Sequence, residues 1–169
     1  MYNKFVIIKE IIKRRSNREY LPDEIEEDVI NEIIKSAQFA PTGMNNRSVE
    51  FMVIRNYQTK ENIFKLIGQE FIKQAPALII PVIDTGSSVT PIQDLSIASS
   101  FILLQATALE LGSVWKNVRI ENRDDLKKLL GIPDSYEVIN VIPIGYVPKT
   151  LAVHQDSEYS EEKIHWDNW

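Results

Sequence analysis

The chain contains no cysteine, which excludes disulfides, thiolate metal sites and a cysteine nucleophile. Histidine is scarce too: His154 and His165 both fall near the C-terminus and form no metal-ligand pattern with neighbouring carboxylates. No apolar run approaches the roughly 20 residues of a membrane span. The opening Met1-Tyr2-Asn3-Lys4 lacks the apolar stretch and small-residue cleavage site of a signal peptide, so a cytoplasmic protein is expected. With only six glycines there is no Gly-rich dinucleotide fingerprint, and NADH cannot be told from NADPH. Positive charge is in deficit, 19 Lys and Arg against 24 Asp and Glu for a net of −5. That balance argues against nucleic acid, whose binding rests on distributed positive charge.

What is present fits one compact domain spanning residues 1–169, with 44% hydrophobic and 25% charged residues. Two short segments stand out, each at the end of a helix-patterned run. Arg14-Arg15-Ser16-Asn17-Arg18 offers guanidinium forks and a hydroxyl, which match the geometry of a phosphate. Ala40-Pro41-Thr42-Gly43-Met44-Asn45 offers a polar turn in which Pro and Gly hold backbone close to a ligand and Asn both donates and accepts. Taken alone, the basic cluster reads equally well as a solvated helix end favoured by the helix dipole.

Periodicity places these segments. Ile7, Ile8, Ile11 and Ile12 predict a first helix that buries one face and delivers Arg14 and Arg15 at its end. A second helix carries Ile25, Val29, Ile30, Ile33, Ile34 and Ala37 on one face, with Asp23, Glu24, Glu26 and Glu27 in its first turns, and stops before Pro41. Strands are expected over 49–55, 78–83 and 137–146, a short helix over 60–68, and a long core helix over 91–111 ended by a left-handed Gly112. Asn122 is expected to cap a helix running to Leu130 and closed by Gly131. The long helix is apolar nearly all round, which marks burial between layers or at a subunit interface. Its Ser99, Ser100, Gln105 and Thr107 read as packing and interhelical contacts, because no acid or base accompanies them at matching spacing. Residues 149–169 lack periodicity yet hold Trp166 and Trp169, which suggests that the tail docks onto something else.

The two polar segments, in this order and separated by an Ile-rich helix, resemble the start of the nitroreductase family of FMN-dependent oxidoreductases. The resemblance continues through Gln74-Ala75-Pro76-Ala77-Leu78-Ile79-Ile80, the run from Asp94 to Gly112 with Trp115 beyond it, Ile144-Gly145-Tyr146, and His165-Trp166-Asp167-Asn168-Trp169. The chain departs from the family at Arg47-Ser48-Val49, where Gln-Pro-Trp is usual, and at Lys116-Asn117-Val118-Arg119, where a Gly-rich turn is usual. Lys149 stands alone for a late basic pair.

The resemblance implies an α+β fold: a small, mainly antiparallel sheet flanked by helices, in an intertwined homodimer with residues 148–169 as a C-terminal arm. It implies FMN contacts from Arg14, Arg15, Ser16 and Arg18 of one subunit and Pro41, Thr42, Gly43 and Asn45 of the other, with Arg47, Lys116, Asn117 and Lys149 as further candidates. The implied reaction moves hydride from NADH or NADPH through FMN to a small electron-poor acceptor, such as a nitroaromatic or quinone, with ping-pong kinetics and no ionisable catalytic side chain. Two other readings stand beside it: a flavin-binding protein of the same fold with little turnover, and an anion-binding interaction module.

Overall fold

The computed structural model describes residues 7–169, so the opening read as lacking a signal peptide lies outside the described residues. Among the described residues the α-helices and β-strands follow one another as α1 (Lys9–Lys13), α2 (Glu27–Gln38), β1 (Val49–Ile54), α3 (Tyr57–Ile67), α4 (Phe71–Gln74), β2 (Ala77–Asp84), α5 (Pro91–Ala108), β3 (Gly112–Ser113), β4 (Lys116–Asn117), α6 (Ile120–Leu130), β5 (Tyr136–Glu137) and β6 (Asn140–Gly145). The strands pair in the order β1-β2-β6-β3, all antiparallel, with β4 beside β6 and β5 beside β2. This is the antiparallel sheet with flanking helices that the resemblance implies.

Strand β2 explains the layering. Its run Ala77-Leu78-Ile79-Ile80-Pro81-Val82-Ile83 is buried throughout. Alternating side chains point to opposite faces, so Ala77 and Ile79 join Ile30, Ile33, Ala98 and Ile102 of α2 and α5. Leu78, Ile80 and Val82 join Ile63, Phe71 and Leu126 of α3, α4 and α6. A strand covered on both faces reads as one apolar block, because neither face meets water.

Several local expectations need correction. Helix α2 begins at Glu27, so Asp23 and Glu24 precede it and Ile25 is buried from an irregular segment. Asn122 lies inside α6 rather than at its cap, and its side-chain amide donates to the Leu66 carbonyl instead. The strand expected over 137–146 divides into β5 and β6. Helix α3 starts earlier than expected because Asn56 caps it, accepting from the Thr59 amide at 2.9 Å. Gly131 does close α6 in the left-handed conformation, at φ 70°.

The expected left-handed Gly112 is the most instructive difference. The positive φ after α5 belongs to Glu110, at 60°, while Gly112 is an extended residue of β3. It is required for closeness rather than for conformation, since a Cβ there would run into the Val147 side chain and come within 2.9 Å of Asn17 Cβ. The segment Ser16-Asn17 therefore lies directly on β3, with the Asn17 amide donating to the Ser113 carbonyl at 3.0 Å.

Helix α1 ends as expected at Arg14, whose amide caps it on the Glu10 carbonyl at 2.8 Å. It buries no residue, however, and Ile7, Ile8 and Ile11 stay exposed. Within α5 the polar side chains turn inward on the helix itself: Ser99 Oγ donates to the Leu95 carbonyl, Ser100 Oγ to Ser96 and Thr107 Oγ1 to Leu103. Such bonds use up the hydroxyls, in keeping with a packing role. Among the described residues, no helix is long and apolar enough to cross a membrane.

Gly112→Ala is expected to push Asn17 and Val147 off β3, at a cost of about 1–3 kcal/mol for an overfilled site. Thermal unfolding measures this, and an unchanged melting temperature would contradict the packing described.

Candidate functional site

The basic segment leaves α1 and runs extended along β3, joined to it through a bridge between Ser16 and Ser113. Tyr20, two residues beyond Arg18, locks the far end. Its hydroxyl donates to the carbonyls of Asn17, at 2.8 Å, and Pro143, at 3.2 Å. Burial pushes the Tyr20 phenol far above its ordinary pKa, with a smaller opposing pull from Arg18, so it remains a neutral donor. The backbone that carries these side chains is thus fixed at one end on β3 and at the other by the Tyr20 ring.

Ser16 and Arg18 line a cavity of about 230 Å³ with Asn17, Glu19, Pro148, Lys149 and Leu151. Arg18 also donates to the Ser16 carbonyl at 3.3 Å, and Lys149 pairs with Glu19 at 3.8 Å. Arg14 and Arg15 turn toward the C-terminal segment. His154 reaches between them, with Nε2 3.4 Å from Arg14 Nη2 and Nδ1 3.3 Å from Arg15 Nη1. Glu158 completes this group, 2.7 Å from His154 Nδ1 and 3.6 Å from Arg15.

The turn 41–47 forms a separate cluster. Thr42 Oγ1 accepts from the Arg47 amide at 3.0 Å, and Asn45 Oδ1 accepts from Arg47 Nε at 3.2 Å. Met44, Asn45 and Arg47 all have positive φ, between 52° and 56°. Asn tolerates that region, whereas for Met and Arg it stores strain on the order of 1 kcal/mol or more each. The strain persists because the turn is clamped from below. Asp94, 1% exposed in the first turn of α5, accepts from the Gly43 amide at 2.9 Å, Ser88 Oγ at 2.6 Å and Thr90 Oγ1 at 3.2 Å. Burial alone would raise the Asp94 pKa, but the hydrogen bonds from Ser88, Gly43, Thr90 and Asn46 outweigh it and hold the carboxyl below its ordinary value.

Within one chain the two clusters stay apart. Thr42 and Arg47 line a second cavity of about 230 Å³ with Ala37, Phe39, Ala40 and Val49, and none of the Arg14–Arg18 residues borders it. Lys116 and Asn117 lie in β4, paired with Val141 and Asn140 of β6, and border neither cavity. Pro41 is exposed at the edge of the turn.

Sequence reasoning missed Asp94, His154 and Glu158 as members of these clusters. For Asp94 the available signal was an acidic residue in the first turn of a helix opened by Pro91. For His154 and Glu158 it was their i,i+4 spacing, which only a local turn turns into a pair.

Comparison with known proteins gives this arrangement a class. The chain matches the model of the nitroreductase family over residues 11–72 and 57–146. A protein of Methanothermobacter thermautotrophicus with the provisional name NADH dehydrogenase/NAD(P)H nitroreductase is 32% identical, over 99% of this chain and 90% of its own length. One of the same name from Archaeoglobus fulgidus is 33% identical over 96% and 98%. Among solved structures, an FMN-dependent nitroreductase from Clostridium difficile superposes with a TM-score of 0.91 at 33% identity, covering 96% of this chain and all of that one. The fold is that of FMN-dependent nitroreductases. The chain belongs to the nitroreductase family.

Because its folded-state pKa is lowered, Asp94 contributes stability that is fully present above the unfolded carboxylate pKa of about 3.9 and is lost as pH falls through the folded value. Asp94→Asn is therefore expected to cost most at neutral pH and progressively less below about pH 4. Denaturant unfolding of both proteins from pH 7 to pH 2.5 checks this. A gap between them that held constant across the range would contradict the assignment.

Proposed function

We propose that this chain is an FMN-dependent oxidoreductase drawing on NADH or NADPH, with the flavin bound between two copies of the chain. The observation that carries the reading is the pairing of a phosphate-type donor set with a strained, clamped polar turn, held apart in one chain. Ser16 and Arg18, which share a cavity with Lys149, and Arg14 and Arg15, which face His154, supply cationic forks and a hydroxyl suited to phosphate. That donor chemistry fits the phosphate end of FMN, and the close seat of Asn17 on Gly112 holds it in place.

The ring end needs more room. The cavities at Ser16–Arg18 and at the turn, about 230 Å³ each, fall below the roughly 300–1,000 Å³ of ligand sites, and the larger one of about 380 Å³ beside Arg15, Asn17 and Gly112 is bordered by no residue of the turn. A second copy that brings its Pro41, Thr42, Gly43 and Asn45, and its Arg47, against the first would complete the pocket. The exposed surface supports this pairing. Ile7, Ile8 and Ile11 of the α1 region lie bare, and Ile97, Phe101 and Leu104 of α5 are only half-buried. At the tail, Trp166 and Trp169 are 83% and 98% exposed, with Trp169 stacked only on His165 at 4.0 Å. Rings so exposed have a large hydrophobic gain available from an interface, and an arm reaching from 148 to 169 onto the other copy would provide it.

FMN, when bound, takes hydride from the nicotinamide and passes it to the acceptor, which is why no acid or base is needed among these residues. The protein's part is to bind, orient and shape access. Arg18 lines the cavity, from which its guanidinium would stabilise negative charge on a bound flavin. The turn 41–47 holds its shape through Asp94 and so presents one fixed surface to both substrates in succession. The acceptor class is a small electron-poor molecule such as a nitroaromatic or quinone, and the order is ping-pong. Lys116 and Asn117 are further candidates for contacts to the same flavin. A flavin-binding protein with little turnover is the second reading, favoured by the engagement of Arg14 and Arg15 with His154 and Glu158.

Two measurements test the proposal. Each charge-assisted hydrogen bond contributes roughly 1.5–3 kcal/mol, so Arg14→Ala should weaken FMN binding about tenfold or more with an unchanged circular dichroism spectrum. Equal affinity would remove Arg14 from the phosphate site. Initial rates at varied NAD(P)H and acceptor should give parallel double-reciprocal lines; intersecting lines would show both substrates bound together. Failure of either nicotinamide to bleach the flavin would move the assignment to the second reading.

A further inference from the structure

The residues around Arg14 and Arg15 carry an anion of their own. Glu158 stands in a three-residue 3-10 turn, Asp156–Glu158, on the C-terminal segment. The turn is locally built: the Gln155 amide donates to Glu158 Oε1 at 3.1 Å, and a reciprocal capping box closes it. It is also anchored at a distance, because the His154 amide donates to the Ile12 carbonyl at 2.9 Å and His154 Nε2 lies 3.1 Å from the Arg14 carbonyl. The Glu158 carboxylate is thus delivered to a fixed place, 2.7 Å from His154 Nδ1 and 3.6 Å from the Arg15 guanidinium. Hydrogen bonds from His154 and from the Gln155 backbone hold its pKa below the ordinary glutamate value, so it is an anion at neutral pH.

We propose that Glu158 sets how strongly this site discriminates a phosphorylated flavin from an unphosphorylated one. The inference rests on the reading of Arg14 and Arg15 as phosphate ligands. A carboxylate on Arg15 neutralises part of the positive charge that a phosphate dianion would use, and it repels that dianion directly. The phosphate therefore adds less to affinity than two free arginines would give. Riboflavin, which has the same ring and ribityl chain but no phosphate, does not meet this opposition. Glu158 is a specificity-determining residue that acts on one end of the ligand and leaves the reacting ring untouched.

The test compares FMN and riboflavin, titrated by quenching of flavin fluorescence against the full-length parent, Glu158→Gln and Arg14→Ala. Glu158→Gln keeps the size and the hydrogen-bonding oxygen while removing the charge. Half-exposed charges interact modestly, so FMN is expected to bind about twofold to fivefold more tightly to Glu158→Gln, with riboflavin unchanged within error. FMN affinity that is unchanged or weaker would overturn the proposal, as would equal tightening for both flavins. Glu158→Ala gives the same comparison should the glutamine variant fold poorly. Arg14→Ala separates the two levels of the argument. If it weakens FMN while Glu158→Gln does not tighten it, the claim about Glu158 alone fails. If it leaves FMN affinity unchanged, the phosphate-site reading fails with it.

Discussion

The site depends on one close approach: the extended segment Ser16-Asn17 lying against β3 at a point where no Cβ intervenes. Gly112 makes room, the Asn17 amide bonds to Ser113, and Tyr20 ties the next turn to Pro143. Long cationic side chains lose considerable rotamer freedom when they bind an anion. Fixing the backbone that carries them on the sheet leaves only that side-chain cost to be met by the ligand. The strand that supports β3 is β6, itself paired to the fully buried β2, so the basic segment is continuous with the hydrophobic centre of the molecule.

The turn 41–47 uses a different device. It is exposed, yet it holds three non-glycine residues in the left-handed region, a conformation that survives only where surroundings over-determine it. Here the over-determining group is a single buried carboxylate. Asp94 collects its donors from the turn itself and from residues 88 and 90, and sits in the first turn of the 18-residue α5, where a negative charge is favoured. One anion therefore sets both the start of the central helix and the shape of the turn. In the other cluster the carboxylate is Glu158, half-exposed and set against His154 and Arg15.

Much of this was legible in the amino-acid sequence wherever periodicity or turn chemistry acts locally. The buried block Leu78–Ile83, the α2 stripe of Ile30, Ile33 and Ala37, and the Gly131 cap all follow from short-range rules. The role of Gly112 did not, because a glycine after a helix has two physical uses and only the distance to Val147 and Asn17 distinguishes them. Asn122 misled for a related reason: a good capping residue was drawn into a contact with Leu66 that sequence spacing does not show. The candidate residues Arg14 to Arg18 and Pro41 to Arg47 were legible as chemistry. Their partners Asp94, His154 and Glu158 were not, since each arrives from a distant part of the chain. Ile7, Ile8 and Ile11, expected to be buried, stay exposed within one chain.

The central claim is that one site takes its basic segment from one copy and its polar turn from the other. Mixed dimers test it most directly. A chain carrying Arg14→Ala and a chain carrying Gly43→Val, whose added side chain would collide with Thr90, each give homodimers in which both sites are damaged. Purified as a differently tagged heterodimer, the pair has one site with both changes and one with neither. FMN titration should then recover parental affinity at one site per heterodimer. Two weakened sites and no parental one would mean that each chain builds its site alone, and would contradict the account.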